Sequence, residues 1–131
     1  MRHYSEEINH ADGLIHFIQQ RGGQVVLYDI EKPPNKWSDV ENIVKTAFEL
    51  EKDNYNALFK INNLANEHCD VSTSEFIESV YLTEQLKDQK DLADLLTKVK
   101  YALESKTIHL LDYNIEQAET EQSKYNSKMK T

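Results

Sequence analysis

The chain has 131 residues, 39% of them hydrophobic and 29% charged, with only three glycines and two prolines; this favours one lean core made of few, long, one-sidedly wet helices over an all-β fold. A net charge of -8 excludes the Lys- and Arg-dependent phosphate neutralisation on which nucleic-acid binding relies, while leaving attraction for cations open. The single cysteine, Cys69, excludes an internal disulfide framework and fits a reducing compartment; with no apolar run near the ~20 residues of a membrane span and no signal-peptide core, a cytoplasmic protein without membrane partners is expected.

Residues 3–21 predict a first helix. Ile8, Ala11, Leu14, Ile15 and Ile18 recur at three- and four-residue steps, and Gly22-Gly23 supplies a left-handed stop. Within it, Glu7 and His10 are three residues apart, which on a helix puts a carboxylate and an imidazole on one face. Glu-x-x-His is the recurring metal-binding device of helical bundles, but by itself the spacing more often describes a solvated helix face.

Residues 24–30, Gln-Val-Val-Leu-Tyr-Asp-Ile, are β-branched and aromatic and predict an extended segment. Glu31-Lys-Pro-Pro34 prolongs it by blocking helix. A connection of this length in a compact domain is expected to have a task. It either runs the length of a bundle between two parallel helices or pairs along its edge with a symmetry mate. Trp37 is expected to anchor its end.

A long helix is predicted over 38–67, with Ser38 as N-cap and Glu41 completing a capping box. Its expected apolar face is Val40, Ile43, Val44, Ala47, Phe48, Leu50, Leu58, Ile61 and Leu64. After a turn at His68-Cys-Asp-Val71, Ser72 and Glu75 form a second candidate box. A second long helix runs to about Ser105 and presents Phe76, Ile77, Val80, Tyr81, Leu86, Leu92, Leu95, Leu96, Val99 and Leu103. The short turn makes the two long helices antiparallel neighbours. Residues 107–115 suggest a short amphipathic helix. Residues 116–131 form a polar tail, expected to be frayed helix or disordered, so the folded domain is placed at 1–115.

With these elements in order, the sequence resembles ferritin, and in particular the heavy-chain-like subunits of animals. The residues that carry the resemblance are Ser5-Glu-Glu-x-x-His-Ala11, Gln20-Arg-Gly-Gly23, Asp29-Ile-x-Lys-Pro33 with Trp37, Leu50-Glu-Lys52, Phe76-Ile-Glu78 and Tyr81-Leu-x-Glu-Gln85. It covers roughly residues 3–115. It implies an all-α fold of ferritin-like four-helix-bundle architecture, with a long crossover and a short C-terminal helix, but lacking the first helix and the start of the second.

The resemblance also implies a diiron ferroxidase centre that binds Fe(II), oxidises it to Fe(III) with O₂, and feeds an iron store inside an oligomeric shell. Glu7 would bridge the irons, His10 would ligate the first, Glu51 would ligate the second, and Gln85 would hydrogen-bond beside it. Carboxylate oxygen and imidazole suit iron. Glu6 and Asp12 resemble the acidic patch where mineral nucleates, though they equally suit an ordinary helix surface. Glu75 and Glu78 resemble the carboxylates lining the channel through which Fe(II) enters.

Without the first helix, one carboxylate of the first iron and a tyrosine near it have no counterpart, so weak ferroxidase turnover is expected. A self-associating iron-storage subunit is the leading expectation. The alternative is a catalytically weak structural or modulatory subunit that co-assembles with full-length ferritin subunits; a piece of a complete ferritin is the third.

Overall fold

A computed structural model describes residues 2–33 and 36–128. It divides the chain into two compact units, residues 1–35 and 36–131, and each is described by itself. Pro34 and the last three residues of the polar tail lie outside the described residues.

The first unit is built on helix α1, Arg2–Gln20, as the apolar spacing predicts. Its end is a Schellman turn. Gly22 takes φ +75°, its N–H donates to the Gln19 carbonyl, and the Gly23 N–H donates to the Ile18 carbonyl, both at 2.9 Å. The two glycines are there for different reasons. Gly22 supplies the left-handed backbone with open space around it, whereas a Cβ on Gly23 would stand 2.8 Å from Ile18 Cγ2. Residues 23–33 then continue without helix or strand.

The second unit holds the long helices. α2 spans Val40–Glu67, 28 residues and about 42 Å at 1.5 Å per residue. α3, Val71–Phe76, leads without a break into a π-helical turn, Ile77–Leu82, and then α4, Thr83–Glu104. α5, Ile108–Lys128, continues the short helix expected at 107–115 into the tail. Among the described residues there is no strand.

Both predicted N-caps shift. α2 is capped by Asp39, whose carboxylate accepts from the Asn42 N–H at 2.8 Å, not by Ser38. α3 is capped by Asp70, which accepts from the Thr73 N–H at 3.2 Å and from its hydroxyl at 2.8 Å, not by Ser72. In both places an aspartate competes with a nearby serine, and the ionised carboxylate is the stronger acceptor. Glu41 and Glu75 are therefore not capping-box residues. Glu41 instead reaches Lys100 at 3.8 Å. Trp37, expected to anchor the connection, is exposed.

The long helices are antiparallel, as the short turn predicts. The cross-helix pairs are Asn62–Glu78, Glu51–Gln85 and Glu41–Lys100; as the α2 position falls, its partner's position rises. Their shared core is Val44 and Ala65 of α2, Ile77, Tyr81 and Leu82 of the π turn, and Val99 and Ala102 of α4. Phe76 meets the Tyr81 ring edge-on, with centroids 5.3 Å apart, and burial pushes the Tyr81 hydroxyl above its usual pKa. The expected apolar face of α2 splits in two. Val44 is buried, while Ile43, Leu50, Ile61 and Leu64 remain exposed. At the far end, α2, α4 and α5 enclose a groove of about 320 Å³ lined mainly by aliphatic side chains.

Candidate metal sites

On α1, one helical turn brings Glu7 and His10 together, with Glu7 Oε2 3.9 Å from His10 Nδ1. His10 is half-buried and Glu7 is exposed. Glu6 is half-buried and Asp12 is exposed on the same helix. The predicted face is therefore formed, with a half-buried imidazole and a carboxylate open to solvent.

In the second unit, Glu51 of α2 and Gln85 of α4 meet across the antiparallel pair. Gln85 Nε2 donates to Glu51 Oε2 at 2.8 Å. The sequence separates them by 34 positions, and the helix register brings them into contact. Gln85 is 5% exposed, and its carbonyl Oε1 is buried with no hydrogen-bond partner. A buried acceptor without a partner is costly and marks a place where a water or ligand is wanted.

One turn further along α4, the Nε2 of Gln89 is also buried without a partner. Gln89 escaped the sequence reading, although its i, i+4 spacing from Gln85 is the signal that would have found it.

Glu75, on the last turn of α3, and Glu78, in the π turn, are both exposed. Glu78 is held by neighbours the sequence reading also missed. Asn62 Nδ2 donates to Glu78 Oε1 at 2.7 Å, and the Ser74 hydroxyl donates to Asn62 Oδ1 at 2.8 Å. Nothing in the sequence distinguishes these two polar residues from surface ones; only burial does.

The donors present, carboxylate oxygens with one imidazole and a carboxamide, suit a hard or borderline divalent cation. Among the described residues, no group of three or more His, Cys, Asp or Glu stands close enough to share a metal ion. Elsewhere, His16 bonds Gln20 at 3.0 Å, His68 bonds the Leu64 carbonyl at 2.9 Å, and His109 lines the groove at α5. Cys69 is an exposed free thiol. Among the described residues, no helix is long and apolar enough to cross a membrane.

Comparison with known proteins gives a consistent picture. The ferritin-like domain family matches residues 1–102. The middle subunit of ferritin from Aquarana catesbeiana is 38% identical over 99 residues, covering 75% of this chain and 56% of that protein. Soma ferritin from Lymnaea stagnalis is 37% identical over 101 residues, covering 76% and 58%. The chain thus spans a little over half the length of these curated relatives. Among solved structures, an open pore ferritin from the archaeon Archaeoglobus fulgidus superposes with a TM-score of 0.78 at 26% identity, covering 86% of this chain and 69% of that one.

Proposed function

Because this chain belongs to the ferritin family, its ferritin-like domain lying at residues 1–102, we propose that it is a cytoplasmic iron-handling subunit. It takes Fe(II) as substrate, gives the electrons to O₂, and holds ferric product within a shell of associated subunits. On α1, Glu7 with His10 is one candidate iron-binding pair, and in the second unit Glu51 with Gln85 is another. Glu6 and Asp12 receive ferric ions on the helix surface, and Glu75 and Glu78 draw Fe(II) inward.

The observation that carries this reading is the Gln85–Glu51 bond of 2.8 Å beside the unpartnered Gln85 Oε1. The amide fixes one carboxylate oxygen and leaves the other for a cation. Its own carbonyl remains available to a water on that cation. A partner of this kind orients a metal-binding carboxylate, and losing it typically costs 10–100-fold in affinity or activity.

Stopped-flow oxidation of Fe(II) by O₂ tests the reading. Glu51→Ala should abolish the protein-dependent rate, Gln85→Leu should lower it by about 10–100-fold, and Glu7→Ala with His10→Ala should return it to the background of free Fe(II). Rates equal to wild type in all three variants would overturn the proposal.

A second reading is favoured by the donor count on α1, one carboxylate and one imidazole. In that case turnover is weak in this chain, and the subunit acts structurally by co-assembling with complete ferritin subunits. A wild-type rate at background, together with incorporation into a shell of complete subunits, selects this reading.

A further inference from the structure

We propose that Asn62 and Ser74 are positioning residues that hold the Glu78 carboxylate ready for a divalent cation; the inference rests on the uptake role given to Glu78 above. Asn62 on α2 and Ser74 on α3 are 5% and 8% exposed. Polar groups at that depth are tolerated only when they are hydrogen-bonded, and these two bond each other. The Ser74 hydroxyl donates to Asn62 Oδ1 at 2.8 Å, which fixes the plane of the amide. The amide then turns its Nδ2 outward and donates to Glu78 Oε1 at 2.7 Å, a charge-assisted bond. Ser74 Oγ stands 3.5 Å from the same oxygen, at the limit of a hydrogen bond, so Asn62 is the direct holder.

The relay joins a buried pair to an exposed acid. A solvent-facing glutamate would ordinarily sample many rotamers and lose them on binding. Glu78 has already lost much of that freedom, which is the general advantage of preorganisation. Its backbone is fixed as well, since the Thr83 hydroxyl donates to the Glu78 carbonyl at 3.1 Å across the widened π turn. The Asn62 bond engages one carboxylate oxygen and leaves Oε2 to coordinate a hard cation. Glu75 lies one turn away. Its backbone carbonyl is tied to the Ser79 hydroxyl at 2.7 Å, but among the described residues its carboxylate has no comparable buried holder.

Binding of Mn(II) to the full-length protein, followed by the loss of the free-ion electron paramagnetic resonance signal, separates the possibilities. Glu78→Gln keeps an acceptor for Asn62 and removes the charge; it should eliminate one class of Mn(II) sites while leaving the thermal midpoint unchanged. Asn62→Leu keeps Glu78 and removes its holder; that class should remain but weaken by about 10-fold or more. Ser74→Ala, a small change of volume, should weaken it in the same direction, and it serves if the leucine variant fails to fold. If Glu78→Gln binds Mn(II) as wild type, the uptake role falls and the inference falls with it. If Glu78→Gln loses the sites while Asn62→Leu or Ser74→Ala binds as wild type and only melts earlier, the inference alone is overturned.

Discussion

Lys106 holds φ +57°, a left-handed conformation that an L-residue enters at a cost of about 1–2 kcal/mol. It does so because helix α4 ends in a Schellman turn, with the Thr107 N–H donating to the Ala102 carbonyl at 2.8 Å and the Lys106 N–H to the Leu103 carbonyl at 3.2 Å. Cys69 fills the same place after α2 at φ +55°, where the Asp70 N–H reaches the Ala65 carbonyl at 2.8 Å. Only α1 uses glycine there. Lys106→Gly should therefore stabilise the protein by about 0.5–1 kcal/mol, the relief of strain being partly offset by a freer unfolded chain. Urea denaturation should show a higher midpoint at unchanged slope; a lower midpoint would refute the account.

At the scale of the element, the π turn decides how the second long helix packs. An i, i+5 turn carries one extra residue, and here the consecutive residues Tyr81 and Leu82 are both buried. Ile77, its first residue, is 2% exposed and is one of the largest fully buried side chains. Ile77→Ala should cost about 2–5 kcal/mol, read as a fall in the thermal midpoint with loss of cooperativity if the α2–α4 contact opens. A cost below about 1 kcal/mol would mean that the turn is not part of the shared core.

The helices themselves were legible in the sequence, because apolar three- and four-residue spacing is a strong signal, as at Ile8 to Ile18. The cap positions were not, since Ser38 and Asp39 are both competent and geometry chooses between them. The π turn was invisible, because Ile77–Leu82 has no composition that an α-helix would refuse. At the candidate sites, Glu7 and His10 were legible from local spacing. Glu51 and Gln85 became a pair only through the resemblance and the register of two helices. Asn62 and Ser74 were hidden because burial of polar residues is not written in their identity.

For the whole molecule, the informative feature is apolar surface left to solvent. Val26, Leu27, Tyr28 and Ile30 in the connection are 60–94% exposed, together with Ile43, Leu50, Ile61 and Leu64 on α2. Exposed apolar stretches of this kind mark association surfaces, and under the function proposed above a second copy of the chain would cover them. Leu27→Lys combined with Ile30→Lys should shift the sedimenting species to smaller size while far-ultraviolet circular dichroism keeps its helical signal. An unchanged particle size would remove the connection from any interface.

Trp37, the chain's one tryptophan, sits at the foot of that connection and is 43% exposed. Its indole is therefore half wet in the single chain. Covering the connection by association should move its emission to shorter wavelength, and unfolding should move it to longer wavelength. The protein thus carries an intrinsic optical gauge in which assembly and melting have opposite colours.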